Sequence, residues 1–159
     1  MELLGTRLRH LIELLDGEVA AVYADLGLAG FRPRYTPVVR ALAAEGPRAI
    51  RDIAALVGVT HSAASQTVAQ LVKEDLVSLA PDPADARRRV ARLTPKAEAL
   101  LPVLDAEWAA TARAAEALDA ELPYSLDRLV DETLQALSRR PMRARITEHL
   151  GARGRGEPG

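Results

Sequence analysis

The feature that most constrains the fold lies in the middle of the chain, where two short helical patterns meet at a glycine. Residues 50–57 have helical spacing, and Gly58 can close that helix in the left-handed conformation. Thr60 is a capping residue, and residues 61–74 have the spacing of a second helix. The apolar face of this helix consists of Ala64, Val68, Leu71 and Val72. The pattern predicts a helix-turn-helix.

Two short alternating segments follow the second helix. Residues 77–79 and 90–93 alternate as half-buried strands do, and a loop rich in proline, aspartate and arginine separates them. A hairpin directly after a helix-turn-helix is typical of the winged variant of this motif. We therefore predict a small antiparallel β wing of two or three strands.

The remainder of the chain has helical patterns. Residues 3–26 carry leucine and valine at helical spacing, and Thr36-Pro37 and Thr94-Pro95 each place proline in the first turn after a capping residue. Ser125 with Asp127 opens a further helix. Aromatic residues make up only 3% of the chain, so leucine, valine and alanine must provide most of the packing. The sequence predicts a mostly α fold.

Charge is distributed unevenly along a chain whose net charge is −1. Residues 47–96 hold eight basic and five acidic residues, whereas residues 97–138 hold two basic and nine acidic ones. The middle segment is therefore suited to a polyanion. We expect the carboxylates of the acidic segment to form a solvated helix face.

Several classes of function are excluded by what the sequence lacks. The absence of cysteine excludes disulfides and thiolate metal sites, and the three histidines are too dispersed for a zinc motif. No phosphate-binding glycine loop or nucleophile motif is present. We predict a cytoplasmic protein that is not an enzyme, has no metal or cofactor, and has no membrane segment.

Several motifs together are similar to those of a known family. They are Ile53-Ala54, Val57-Gly58-Val59-Thr60, Leu76-Val77, Asp82-Pro83-Ala84-Asp85-Ala86-Arg87-Arg88 and Leu93-Thr94-Pro95. Over roughly residues 35–101 the chain resembles the MarR family of winged helix-turn-helix transcriptional regulators. Asp75 departs from the family pattern, since a turn glycine is usual there, and we expect it to distort the exit into the strand.

The resemblance implies a homodimer with a helical dimerisation stalk. The expected divisions are residues 1–34 as the N-terminal helix of the dimerisation region, 35–96 as the DNA-binding lobe, 97–150 as the C-terminal dimerisation helices, and 151–159 as a disordered tail. The resemblance also implies a regulator, most often a repressor, that binds pseudo-palindromic duplex DNA. Arg87 would enter the minor groove, and Asp85 would fix the loop that carries it.

The candidate DNA-binding residues lie on the second helix of the motif and on the wing. They are Thr60, His61, Ser62, Ser65, Gln66, Lys73, Arg87, Arg88 and Arg89. Gln66 can pair bidentately with adenine. The alternatives are a solvated hairpin tip for the arginines and ordinary exposed helix positions for Gln66 and His61.

The resemblance further implies a small aromatic or phenolic ligand between the stalk and the winged lobe. The candidate contacts are His10, Tyr23, Arg34, Tyr35 and Trp108. The alternative is that each of these side chains is simply packed or exposed.

A different class of function is also consistent with the sequence. The second helix of the motif carries one cation, Lys73, far from its N-terminus. The alternative hypothesis is therefore a dimeric winged-helix module that binds protein and does not bind duplex DNA.

Overall fold

Helices dominate the chain, and one β-hairpin interrupts them. The computed structural model describes residues 3–82 and 89–153, with side chains up to residue 150. In chain order the elements are α1 (Leu4–Asp25), a 3-10 helix (Pro33–Tyr35), α2 (Thr36–Glu45), α3 (Ile50–Val57), α4 (His61–Lys73), β1 (Val77–Pro81), β2 (Arg89–Leu93), α5 (Pro95–Ala120), α6 (Leu126–Arg139) and α7 (Met142–Arg153). The predicted mostly α fold with a small β wing is confirmed.

The turn between α3 and α4 is built as its sequence predicts. Gly58 has a φ of 74° in the left-handed region, where a side chain would be strained, and the amide of Val59 donates to the carbonyl of Ala54. The hydroxyl of Thr60 accepts a hydrogen bond from the amide of Ala63 over 3.2 Å. This cap satisfies one of the amides that every helix leaves unpaired at its N-terminus.

The wing is a two-stranded antiparallel sheet with one additional bridge. Val77 lies opposite Leu93, and the pairing continues along both strands. The backbone of Arg48 exchanges two hydrogen bonds with Ala91, of 3.0 and 2.8 Å, so a single residue before α3 occupies the place of a third strand. The described residues therefore contain two strands and one bridge residue. The predicted roles of Asp85, Arg87 and Arg88 concern positions outside the described residues.

One hydrophobic core joins the elements up to Trp108. It contains residues from α1, α2, α3, α4, both strands and the first part of α5, among them Tyr23, Phe31, Tyr35, Val39, Leu42, Ile53, Val68, Leu71, Leu76, Val77, Ala91, Ala97, Leu104 and Trp108. By its internal contacts the chain divides into two units, Met1–Trp108 and Ala109–Gly159. This structural boundary lies inside α5. The predicted functional division, with boundaries after residues 34, 96 and 150, stays a prediction.

The second unit contains α6, whose first turn is capped by two side chains. The carboxylate of Asp119 accepts from the amide of Leu126 over 2.6 Å, and the hydroxyl of Ser125 accepts from the amide of Arg128 over 3.3 Å. The Ser125 cap was predicted from the sequence. The hydrogen bond from Leu126, together with Ser125, holds the pKa of the Asp119 carboxyl below its usual value.

Two predictions about element ends are wrong. Thr36 does not cap α2, because it is the first residue of the helix and its hydroxyl instead hydrogen-bonds to that of Tyr23 over 3.0 Å. α7 continues to Arg153, so residues 151–153 of the predicted disordered tail are helical. Residues 154–159 lie outside the described residues.

Candidate nucleic-acid interface

α4 has two chemically distinct faces. Ala64, Val68 and Leu71 are buried in the core and anchor the helix. On the opposite face His61, Ser62 and Gln66 are exposed and Ser65 is half-buried. These short or polar side chains start at the N-terminus that Thr60 caps. A helix held in this way can present hydrogen-bonding groups to base edges in a major groove.

The cations of this surface are at its margins. Lys73 is exposed in the last turn of α4. Arg89 is exposed on β2, and one nitrogen of its guanidinium donates to the carbonyl of Leu79 over 3.0 Å. A guanidinium has five donors, so this bond leaves others for a phosphate. The structure thus places His61, Ser62, Ser65, Gln66 and Lys73 on α4, with Thr60 as its cap, and Arg89 separately on β2.

The exit from α4 is regular, contrary to the expected distortion at Asp75. Asp75 has a φ of 56°, which places it in the left-handed region. Its amide donates to the carbonyl of Val72 over 3.1 Å, and the amide of Leu76 donates to the carbonyl of Leu71 over 2.9 Å. These two bonds form a Schellman cap, in which glycine is the usual residue at this position. Asp75 therefore takes the glycine conformation at a cost in backbone strain.

The β2–α5 turn is hydrogen-bonded to this exit at three successive carbonyls. The ammonium of Lys96 donates to the carbonyl of Glu74 over 2.7 Å, and the hydroxyl of Thr94 donates to the carbonyl of Asp75 over 2.7 Å. The amide of Thr94 donates to the carbonyl of Leu76 over 3.1 Å. The end of α4 and the start of α5 are consequently one connected structure.

A second cluster of interest is buried where α1, α2 and α5 meet. The hydroxyl of Tyr23 hydrogen-bonds to Thr36 over 3.0 Å and accepts from the indole nitrogen of Trp108 over 3.2 Å. Glu107 also hydrogen-bonds to Tyr23. Burial raises the pKa of the Tyr23 hydroxyl, and the Glu107 carboxylate adds to the effect. Tyr23, Glu107 and Trp108 are only 1%, 4% and 8% exposed.

Glu107 is a correction to the sequence analysis. Its carboxylate was expected to be on a solvated face, yet it is buried beside Tyr23. A signal was present in the sequence, because Glu107 follows Leu104 and Leu100 at spacings of three and seven residues along α5. That spacing places it on the apolar side of the helix.

The five candidate ligand residues do not form one group in the described structure. Tyr23 and Trp108 are in direct contact, and Tyr35 is joined to Tyr23 through Phe31 by edge-to-face ring contacts of 4.9 and 5.7 Å. The Tyr35 hydroxyl is buried and has no hydrogen-bond partner among the described residues. Arg34 is exposed with its guanidinium 5.7 Å from the Tyr35 ring, and His10 is exposed on α1. Their roles as ligand contacts stay predictions.

An open cleft of about 830 Å³ lies near the other end of α2. It is bounded by the C-terminal end of α2, the wing and the first turns of α5, with Leu42, Pro47, Asp75, Arg92, Lys96 and Leu101 among its lining residues. None of the five candidate ligand residues lines it. Arg92 of β2 lines this cleft.

The described residues give no support for a metal site or a membrane span. Within 3–82 and 89–153, no group of three His, Asp or Glu side chains could hold a metal ion. No helix in the same part of the chain has the length and apolar character to cross a membrane.

Comparison with known proteins identifies the winged lobe. Residues 29–88 match the model of the MarR family. This chain carries a MarR-family domain. The match covers α2, α3, α4 and β1, the elements that build the surface described above, and extends to residue 88. The sequence has no significant match among curated proteins.

Solved structures show that the MarR-family domain and its flanking helices share a known fold. BpsR from Bordetella bronchiseptica, whose DNA binding is regulated by 6-hydroxynicotinic acid, has a TM-score of 0.63 at 18% identity, over 86% of this chain and 94% of that one. PcaV from Streptomyces coelicolor, solved with its natural ligand, has a TM-score of 0.61 at 21% identity, over 86% and 90%. A protein from Pseudomonas aeruginosa described as a probable transcriptional regulator has a TM-score of 0.53 at 28% identity, over 84% and 95%.

These structures agree with the prediction that the chain is not an enzyme. The compared proteins are described as regulators. In this chain one long helix precedes the matched residues, and β2 and three helices follow them.

Proposed function

We propose that this protein is a homodimeric transcriptional regulator that binds pseudo-palindromic duplex DNA. We propose that it acts as a repressor. The observation that carries the proposal is the polar face of α4. His61, Ser62 and Gln66 are exposed and Ser65 is half-buried, while the other face is fixed in the core by Ala64, Val68 and Leu71. A rigid helix with a free polar face is what direct readout of bases requires.

Gln66 is the residue proposed to read a base. Its amide can accept from and donate to adenine, a pairing that gives about 1–3 kcal/mol of discrimination against the wrong base. Lys73, Arg89 and the wing arginines Arg87 and Arg88 are proposed to contact phosphates or the minor groove. Such contacts supply affinity that falls with salt concentration.

The proposal of a dimer is supported by apolar side chains that a single chain leaves in water. α1 exposes Leu4, Leu8, Ile12 and Leu15, and Tyr23 is its one buried residue in the described structure. α6 is amphipathic, yet among the described residues it buries none, and Leu134 is 60% exposed. Large apolar side chains repeatedly exposed along a helix are typical of a protein interface. Two-fold symmetry would then place two copies of α4 about one DNA turn apart.

A small aromatic acid is proposed as the regulatory ligand. BpsR and PcaV share the fold; the DNA binding of BpsR is described as regulated by 6-hydroxynicotinic acid, and PcaV is described in complex with its natural ligand. In this chain the cluster of Tyr23, Tyr35 and Trp108 supplies aromatic surface, and the unpartnered Tyr35 hydroxyl supplies a polar group. His10 and Arg34 lie outside this buried cluster, and their roles as ligand contacts stay predictions.

A specific observation favours a second candidate, the protein-binding module. Leu56 at the end of α3 and Val59 in the turn before α4 are exposed apolar side chains. A partner protein could bury them, and Lys73 is the one cation on α4 itself. Under this alternative the dimer would form but duplex DNA would not bind.

The experiment is selection of duplexes from a random library by the full-length protein, followed by titration of the enriched duplex at several salt concentrations. We expect one pseudo-palindromic duplex per dimer. Gln66→Ala should reduce affinity for this duplex by about 10- to 100-fold, because one base contact is lost. Its affinity for unrelated DNA should stay unchanged.

Gln135→Ala is the matched control, because it removes the same amide from an exposed position of α6. It should bind as the wild type does. A dimer that enriches no duplex and shows no salt-dependent binding would favour the protein-binding module. Equal loss in both variants would remove Gln66 from the proposal.

A further inference from the structure

Three hydrogen bonds hold the C-terminal end of α4, and the proposed contact of α4 with DNA does not by itself require them. Three successive carbonyls, those of Glu74, Asp75 and Leu76, each accept a hydrogen bond from the β2–α5 turn. All three donors belong to two residues, Thr94 and Lys96. The donors and the carbonyls they bond are 18 to 22 positions apart along the chain, so the bonds are tertiary contacts.

Each donor is suited to hold a helix end. Thr94 is nearly buried, and its hydroxyl both donates to Asp75 and accepts from the amide of Ala97 over 3.2 Å. A hydroxyl with both functions used has a fixed orientation. The ammonium of Lys96 donates to a carbonyl at the C-terminus of α4, where the helix dipole favours a positive charge.

We propose that Thr94 and Lys96 are positioning residues that set the orientation of α4 without contacting DNA. α4 is held on its buried face by apolar contacts, which resist separation better than sliding or rotation. Three hydrogen bonds at its C-terminal end supply the directional restraint. This inference rests on the proposed function, since it concerns how the DNA-reading helix is oriented.

The helix that bonds the end of α4, α5, also carries Trp108 of the Tyr23 cluster. Lys96 and Trp108 are both on α5, twelve residues or about 18 Å apart along a helix that contains Pro102. Ala97 and Leu104 are buried between them and hold this part of the helix in the core.

The first test uses amide hydrogen exchange on the full-length protein without DNA. Thr94→Val keeps the shape of the side chain and removes the hydroxyl, and Thr94→Ser restores it. We expect exchange at Asp75 and Leu76 to become at least 10-fold faster in Thr94→Val and to return to the wild-type rate in Thr94→Ser. The amide of Ile53 in α3, which donates to Ala49, is the internal control and should not change.

The second test measures affinity for the selected duplex as a function of salt. Thr94→Val and Lys96→Met should each bind about 10-fold more weakly, with an unchanged slope of log affinity against log salt, and Lys96→Arg should retain affinity. A phosphate contact by Lys96 would instead lower the slope by about 1. That reduced slope, or wild-type exchange at Asp75 and Leu76 in Thr94→Val, would overturn the proposal.

The two tests separate this inference from the proposed function. If the wild type enriches no duplex, the DNA-binding proposal fails, and the exchange measurement still decides whether Thr94 holds the end of α4. If the wild type binds the duplex and Thr94→Val and Lys96→Met bind it with the wild-type affinity, the positioning role is wrong although the DNA-binding proposal stands.

Discussion

The indole nitrogen of Trp108 donates a hydrogen bond to the hydroxyl of Tyr23 over 3.2 Å, which joins α5 to α1 across 85 residues of sequence. The same hydroxyl interacts with Thr36 and with Glu107. One phenol thus has its donor and both acceptor positions in use. The aromatic cluster is therefore held by specific polar contacts as well as by burial.

The first prediction concerns the coupling between these two residues. Trp108→Phe and Tyr23→Phe each remove one partner of the hydrogen bond and keep an aromatic ring. In a double-mutant cycle we expect a coupling free energy of about 1 kcal/mol in the free energy of unfolding, because the bond between Trp108 and Tyr23 is already lost when the second substitution is made. Urea unfolding monitored by circular dichroism measures it. Additive effects within the error of the cycle would show that the bond contributes nothing.

The second prediction concerns the strained turn after α4. Asp75→Gly should raise the free energy of unfolding by about 0.5–1 kcal/mol, since glycine adopts a φ of 56° without the steric cost that aspartate bears. Glu74→Gly is the control, because Glu74 has a φ of −81° and gains nothing from glycine. It should destabilise the protein. A destabilised Asp75→Gly protein would mean that the aspartate side chain contributes more than its backbone strain costs.

The third prediction concerns acid sensitivity of the α6 cap. The folded-state pKa of Asp119 is lowered, first by the hydrogen bond from Leu126. Its contribution to stability is therefore complete above the unfolded-state pKa of about 4 and is lost as the pH falls through the folded-state pKa. Between pH 5 and pH 2 the free energy of unfolding should fall less in Asp119→Asn than in the wild type. Asp131→Asn, an exposed change on α6, should follow the wild type, and parallel curves for all three proteins would contradict the prediction.

The fourth prediction concerns the dimer. Leu134→Asp places a charge on the exposed apolar side of α6 and should shift the protein to a monomer in sedimentation velocity, because an unpaired carboxylate is costly in an apolar interface. The circular dichroism spectrum should stay helical. Gln135→Asp adds the same charge to the neighbouring position and serves as the control. If Leu134→Asp sediments as the wild type does, α6 lies outside the interface.

Local chemistry determined which parts of the fold the sequence could predict. Gly58, Thr60 and Ser125 form turns and caps with residues close to them in the sequence. The helix ends that they define could therefore be predicted from the sequence. Thr36 and Glu107 were misassigned because their partner, Tyr23, is 13 and 84 residues away and only the tertiary structure brings them together. The positioning bonds of Thr94 and Lys96 were missed for the same reason.

In the candidate interface, too, local features could be predicted from the sequence and tertiary ones could not. The exposed side of α4 follows from the period of its apolar residues, so its polar residues could be named in advance. The conformation of Asp75 could not, because an aspartate in the left-handed region is explained only by the two hydrogen bonds that surround it. Residue type alone suggested a distorted exit.

The most direct test of the DNA-binding proposal is amide chemical-shift mapping of the isotope-labelled protein with the selected duplex at constant salt. We predict the largest shifts at His61, Ser62, Ser65 and Gln66, and none above background along α6. Shifts concentrated in α6 or α7, with residues 61–66 unchanged, would contradict the account.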